Sequence, residues 1–327
     1  MIYIGHVLFS FLLSLFIHIF FIYKIKLGKI FYDYPIHRSS HNVPTLKIGG
    51  MIFFPILFFL NFIFINHGPL NFIIYCASII FIFSLLDDLI EMPITLRLFI
   101  HFFISYIFLF QFSDFTIVTL IFFLVSLVWI TNLYNFMDGI DGLAGSMTLV
   151  GILFLSIPLY LKEFYSLLLF NIYILFIIIP FFYFNFFRSK IFLGDSGAVT
   201  IGFLVGCIGL YGSNYGIWPI WYPTLIFSTF GADATLTVLI KVFNRENPLK
   251  PHKHYFFHKL IDLGVNKKII VLIYLIFMFF SSSLAFFLLY LDTISIYIPL
   301  IIYLTIILLI LSFIHFLWLR YNFKNNQ

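Results

Sequence analysis

The sequence predicts an all-α, polytopic integral membrane protein, and three observations carry that prediction: scarce charge, repeated long apolar runs, and basic residues gathered on one side of those runs. Of 327 residues, 63% are hydrophobic and 9% charged, whereas a soluble domain carries about 25% charged residues. Inside a bilayer each backbone polar group must find a partner within protein, and for apolar runs of this length the helix provides it. A hydrocarbon core about 30 Å thick takes about 20 residues per helix. The chain therefore has room for about ten or eleven spans and short loops, with no separate soluble domain, so 1–327 reads as one membrane-embedded unit.

The first apolar run, near 2–23, has no basic segment before it and reads as a retained first helix rather than a cleaved leader. Further runs lie near 49–66, 71–86, 95–111, 115–131, 143–160, 165–185, 197–212, 217–240, 269–291 and 295–319. The 49 phenylalanines are scattered through all of them without fixed spacing and read as lipid-facing bulk. Cys76 and Cys207 fall inside apolar runs, far apart and without a CxxC partner, which argues against a disulfide framework or a zinc site.

Charge orients the spans. With the N-terminus outside, the inner loops collect every Lys and Arg except Lys162, the single basic residue left outside among 18. This positive-inside asymmetry supports an odd number of spans. It also accounts for the formal charge of +5 through membrane orientation and excludes nucleic acid as the partner. The two longest inner loops, about 24–48 and 241–268, are where a soluble substrate is expected.

Ionisable residues near a membrane-buried helix end are costly and call for a reason. Four groups occur, all cytoplasmic in this topology. Asp87 and Asp88 end the third span; adjacent carboxylates point about 100° apart on a helix and suit two different tasks. One is free to face a lipid phosphate and the other a neighbouring helix. Asn132, Asn135 and Asp138 follow at intervals of three, on one arc if the segment stays helical, with Asp141 just beyond and Gly139 and Gly142 easing close approach of a ligand. Oxygen donors so arranged suit Mg²⁺, which is usually shared between one or two carboxylates, waters and substrate phosphates. In Gly194-Asp195-Ser196-Gly197 a carboxylate precedes an apolar helix whose first N–H groups are available to a phosphate, and Asp195 reads as the second metal carboxylate.

The fourth group is Pro251-His252-Lys253-His254-Tyr255-Phe256-Phe257-His258-Lys259. Its mixture of imidazoles and cations suits a diphosphate better than zinc, and His254 and His258 share a helix face if that segment is helical. The remaining histidines on apolar spans, His6, His18, His101 and His315, read as packing residues. Asp233, a lone acid in the ninth span, reads as a partner for a neighbouring helix or a basic residue at the inner face.

Taken together these motifs resemble the polyprenyl-phosphate N-acetylhexosamine-1-phosphate transferases, of glycosyltransferase family 4 type. The resemblance runs through Asp33-Tyr34-Pro35, Arg38-Ser39-Ser40-His41 and Pro44-Thr45-Leu46-Lys47-Ile48-Gly49-Gly50, then Asp87-Asp88 with Arg97, then Asn132 to Leu143, then Asn185 to Gly197. With the histidine loop it covers about 33–260. Leu46 stands where the family usually has a second proline. The loop lacks three consecutive histidines and is closer to the basic form of the O-antigen-initiating branch.

The resemblance implies transfer of an N-acetylhexosamine 1-phosphate from a UDP-sugar to undecaprenyl phosphate at the inner membrane, with release of UMP and dependence on Mg²⁺. It implies that Asn135 and Asp195 bind the metal with the donor diphosphate. Asp138 and Asp141 would hold the nucleotide sugar, Asp87 would contact or deprotonate the lipid phosphate with Asp88 in support, and Arg97 would pair with a phosphate. Lys47, Asn132, Asn185, His252, His254 and His258 would complete the substrate site. A homodimer is compatible with this reading. The rival is a secondary transporter or lipid carrier, but transporters place polar sites near the bilayer midplane in repeated halves. Here no repeat is visible, and the acids gather at one face.

Overall fold

The structure is a computed structural model that describes residues 2–25, 27–35, 43–112, 115–247, 255–291 and 293–325. The chain forms two compact units, Met1–Ile220 and Trp221–Gln327. The first begins with α1 (Ile2–Tyr23), a 3₁₀ turn at Lys29–Phe31 and the short strands β1 (Tyr32–Asp33) and β2 (Thr45–Lys47). There follow α2 (Gly49–Leu60), which runs on as a π-turn through Asn61–Ile65, α3 (Gly68–Ile90), α4 (Ile94–Phe110), α5 (Ile117–Met137) and α6 (Leu143–Leu161). Next come α7 (Tyr165–Phe182), extended by a second π-turn at Tyr183–Phe187, β3 (Ile191–Phe192) and α8 (Asp195–Asn214).

Among the described residues, eight helices are long and apolar enough to cross a membrane, and two shorter apolar helical segments lie at Gly49–Ile65 and Ile94–Phe110. The chain is thus an all-α, multi-pass membrane protein. Its phenylalanines divide between lipid and core, which corrects the reading of them as lipid-facing bulk. Phe16, Phe99, Phe110 and Phe122 are exposed, whereas Phe53, Phe108, Phe170, Phe181 and Phe203 are fully buried. A bilayer side chain gains nothing from leaving lipid, so it is shape, not hydrophobicity, that sorts these rings. Cys76 and Cys207 are both buried and free.

At the centre of the first unit stands α8, whose residues from Ser196 to Leu204 are all buried and which packs on α2, α3, α5 and α6. Small residues make that central place available. A Cβ on Gly202 would lie 2.9 Å from the Ile130 and Thr131 carbonyl oxygens of α5. One on Gly50 of α2 would run into the backbone of Gly197. The three short strands form one sheet in the order β1-β2-β3, with β1 and β2 antiparallel and β2 and β3 parallel. Lys47 pairs with Phe192 in this register, which lays the start of α2 beside the start of α8. Gly50 N–H donates to Leu193 C=O at 2.8 Å and continues the join.

The second unit comprises α9 (Trp221–Ile226), α10 (Ser228–Phe243), α11 (Phe256–Asp262), α12 (Lys267–Leu288) and α13 (Thr293–Asn325). The apolar run read as one span over 217–240 is interrupted here at Phe227, between α9 and α10. Ser228 Oγ donates to the Leu225 carbonyl at 2.6 Å, a local side-chain bond that competes with the helix ladder. Asp233, expected to bond a neighbouring helix, does so. Its carboxylate accepts from Phe256 N–H (2.8 Å) and Phe257 N–H (3.3 Å) at the start of α11 and from the Tyr274 hydroxyl (2.5 Å) on α12.

Candidate active site

The acidic motifs of the first unit meet at one end of its helices. Asp87 lies in the last turn of α3, Arg97 in the first turn of α4, Asn132 and Asn135 in the last turns of α5, and Asp195 at the start of α8. The apolar run expected to stop at 131 stays helical to Met137, so the three-residue spacing does place Asn132 and Asn135 on one arc, and Asp138 follows as the residue that ends the helix.

The two adjacent aspartates diverge, as their helical spacing requires. Asp87 accepts from Met92 N–H at 2.6 Å, which closes the α3–α4 turn, and from Arg97 Nη1 at 2.5 Å. The same Arg97 nitrogen lies 3.1 Å from Asp195 Oδ2, so one guanidinium bridges two carboxylates. Asn135 Nδ2 reaches that Asp195 oxygen at 3.4 Å. Asp88 turns the other way, with Lys47 Nζ 3.2 Å from Oδ1. It also accepts Asp195 N–H at 3.0 Å and Ser196 N–H at 2.9 Å.

This arrangement corrects the expectation that the first N–H groups of α8 are available to a phosphate. Asp195 and Ser196 give theirs to Asp88, and Gly197 and Ala198 give theirs to Gly194 C=O at 3.0 and 2.9 Å. The bond from Ala198 is the first of the helix ladder, and with the Gly194 N–H given to Asp138 the donors a helix start leaves open are engaged within the protein. Gly194, not Asp195, is the residue that precedes the helix, at φ +75°, a conformation that favours glycine.

Asp138 sits beside this turn. Burial, and then the carboxylates of Asp195, Asp141 and Asp88, push its carboxyl well above the ordinary range, opposed by a hydrogen bond from the Gly194 backbone. Burial pulls the Lys47 ammonium down, but Asp88 outweighs it together with Asp195 and Asp33, and leaves Lys47 above the usual lysine value.

Two of the expected substrate ligands are held by the protein itself. Asn132 Nδ2 donates to Val128 C=O at 2.7 Å and lies 3.3 Å from His101 Nδ1. Asn185, 3% exposed, accepts Gly142 N–H at 2.5 Å and donates to Ile191 C=O at 2.8 Å. It thereby ties the loop carrying Asp138 and Asp141, whose Gly142 stands at φ +92°, to β3. His101, read as a packing residue, contacts the site through Asn132; its place four residues after Arg97, on the same face of α4, is the signal that identifies it.

His258 lies in α11 of the second unit, its ring 4.1 Å from that of Phe257. His252 and His254 lie outside the described residues, as do Arg38, Ser39, Ser40 and His41 of the first motif.

Four carboxylates (Asp87, Asp88, Asp138 and Asp195) lie around two cations, Lys47 and Arg97. The surplus of negative charge and the upward push on Asp138 suit a cation. Among the described residues no group of three His, Cys, Asp or Glu side chains is arranged to hold a metal ion. An all-protein cage is thus not formed, whereas Mg²⁺ needs only one or two protein oxygens and completes its shell with water and substrate phosphate. Asp195 and Asn135 meet that lesser demand.

A family model described as glycosyl transferase family 4 matches residues 70–213, which contain Asp87, Arg97, Asn135, Asp138 and Asp195. Over that segment the chain is similar to glycosyl transferase family 4. It is 28% identical over 160 residues to a probable undecaprenyl-phosphate N-acetylglucosaminyl 1-phosphate transferase of Bacillus subtilis, covering 48% of this chain and 45% of that one. It is 30% identical over 185 residues to a decaprenyl-phosphate N-acetylglucosaminephosphotransferase of Mycolicibacterium smegmatis, covering 49% and 46%. An undecaprenyl-phosphate alpha-N-acetylglucosaminyl 1-phosphate transferase of Yersinia pestis is 26% identical over 269 residues, covering 75% and 72%. The chain spans about half the length of the first two of these relatives. The glycosyl transferase family 4 segment ends at 213, inside the first unit, so every residue of the Asp87–Arg97–Asp195 network belongs to the matched part.

Proposed function

We propose that the chain transfers an N-acetylhexosamine 1-phosphate from a UDP-sugar to undecaprenyl phosphate on the cytoplasmic face of the membrane and releases UMP. This would be the first membrane step of O-antigen or other cell-envelope polysaccharide synthesis. The observation that carries the proposal is the guanidinium of Arg97 held between Asp87 and Asp195 at the helix ends, because the reaction requires two phosphates to meet.

In the reaction an oxygen of the lipid phosphate attacks the sugar-bearing phosphorus of the UDP-sugar. A new P–O bond forms, the bridging P–O bond to UMP breaks, and UMP leaves with the bridging oxygen. Repulsion between the two anions is the barrier, and fixed positive charge at the point of meeting lowers it. Arg97 supplies that charge. Asp87 faces the lipid phosphate, while Asp138 and Asp141 hold the nucleotide sugar; the histidine loop, with His252, His254 and His258, carries imidazoles and cations of a kind that suits a diphosphate. Asn135 and Asp195 would hold Mg²⁺, which when bound neutralises the diphosphate and the departing UMP. Placement of the acids at helix ends and not at mid-helix favours this reading over transport, for which polar groups near mid-bilayer are the usual provision.

The test is purified protein in nanodiscs with undecaprenyl phosphate, a panel of UDP-N-acetylhexosamines and Mg²⁺, followed by UMP release. Wild type is expected to release UMP only when lipid phosphate and metal are both present, and Asp195→Asn to lower the rate by about 10²–10³-fold. Normal Mg²⁺-dependent turnover by Asp195→Asn would overturn the metal assignment.

A further inference from the structure

Asp87 and Asp88 are adjacent in sequence, and, as their helical spacing requires, the two carboxylates stand in different surroundings. The Asp88 side chain is 1% exposed, against 31% for Asp195 and 30% for Arg97. Each of its oxygens accepts a backbone N–H of α8, from Asp195 at 3.0 Å and Ser196 at 2.9 Å, and Lys47 Nζ stands 3.2 Å from Oδ1. Lys47 Nζ also lies 3.4 Å from the Asp88 backbone carbonyl. A Cβ on Gly194 would come 3.0 Å from both Asp88 Oδ2 and Lys47 Cγ, so the turn leaves no room between them for a substrate group.

A buried carboxylate with an amide donor on each oxygen and an ammonium beside it is satisfied where it stands. It has no exposed edge for a lipid phosphate and no need of another cation. What it fixes is the first turn of α8, and with that turn the direction in which the Asp195 carboxylate leaves the helix toward Arg97 and Asn135.

We propose that Asp88 is a positioning residue, which with Lys47 clamps the N-terminal turn of α8 and sets the Asp195 carboxylate, and that it touches neither substrate. The clamp joins three separate elements: β2 through Lys47, the end of α3 through Asp88, and the start of α8. It gives Lys47 a task within the protein, in place of the direct substrate contact implied by family resemblance. Binding of anionic substrate consequently falls to side chains such as Arg97 and not to the α8 amides. This inference rests on the proposed sugar-phosphate transfer for its kinetic consequences, but the clamp itself is a property of the folded chain.

The experiment compares Asp87→Asn, Asp88→Asn, Lys47→Met and the double variant Asp88→Asn/Lys47→Met in nanodiscs, by hydrogen exchange and by UMP release. Asp88→Asn keeps an acceptor for one amide and sets an NH₂ against the other, so exchange in the segment 193–198 is expected to rise at least fivefold. Asp87→Asn should leave that segment at the wild-type rate. Displacement of a reacting group by about 1 Å costs about 10²-fold in rate. Asp88→Asn is therefore expected to lose about 100-fold in kcat, with KM for both substrates within threefold of wild type and an unmoved pH profile. The double variant should be no more than threefold worse than Asp88→Asn, because both changes act through one clamp.

Wild-type exchange over 193–198 in Asp88→Asn overturns the proposal, as does a tenfold rise in KM for the lipid or a shifted pH profile. If Asp88→Asn does not fold, Lys47→Met decides by the same exchange measurement, a rise supporting the clamp and a wild-type rate overturning it. If wild type releases no UMP, the transfer reading fails while the exchange result still decides the clamp.

Discussion

Asp195 Oδ2 accepts from Arg97 and from Asn135 at once, which makes this one oxygen the point where α4, α5 and α8 communicate. Neighbouring residues make contributions of a different kind. Asn185 is enclosed and spends its amide on Gly142 N–H and Ile191 C=O. Asn185→Ala would leave both backbone groups buried without that partner, at about 1–3 kcal/mol each. A clear fall in the apparent Tm of purified protein is the expected outcome. An unchanged Tm with a raised donor KM would instead return Asn185 to the substrate-contact role. The sequence spacing anticipates the shared arc of Asn132 and Asn135, yet it does not tell which amide reaches Asp195 and which turns inward. That choice depends on Val128 C=O and His101, groups whose approach is set by tertiary packing.

At the scale of elements, the position of α8 depends on residues without side chains. Gly50 abuts the backbone of Gly197, and Gly50→Val is expected to separate α2 from α8 and to cost about 1–3 kcal/mol or more, read as a lowered Tm and loss of the monodisperse peak in gel filtration. Normal behaviour of this variant would show that the two helices have slack between them.

The second unit offers a pH test. Burial holds the Lys259 ammonium down to about 8 against the opposing pull of Asp233, with the Phe256 ring 4.0 Å from Nζ. Between about 8 and the ordinary 10.5 the unfolded chain keeps a proton that the folded chain has released. Stability contributed by this residue therefore rises with pH across that window. The difference in Tm between Lys259→Met and wild type should be most in favour of the variant near pH 7 and should shrink as pH approaches 10; a constant difference would contradict the shift.

Among these elements the apolar runs mark nearly every helix, since length and hydropathy suffice for that. The break at Phe227 escapes them, because a serine bonding its own helix backbone leaves no trace in hydropathy. So does the closure of the α8 amides by Asp88: the pairing of residues 107 and 108 positions apart exists only once α3 and α8 are packed.

For the molecule as a whole, the alternation of helices through the first unit brings Lys47, Asp87, Arg97, Asp138 and Asp195 to a common end. The proposed topology sets this end at the cytoplasmic face, where a lipid phosphate at headgroup depth and a nucleotide sugar from water can both arrive. Mass spectrometry of the lipid after incubation of wild-type nanodiscs with undecaprenyl phosphate, UDP-N-acetylhexosamine and Mg²⁺ tests the central claim most directly. The expected result is a lipid heavier by one N-acetylhexosamine 1-phosphate, formed in step with UMP and absent with Asp195→Asn. An unaltered lipid for every donor offered, from protein that is folded and monodisperse, would contradict it.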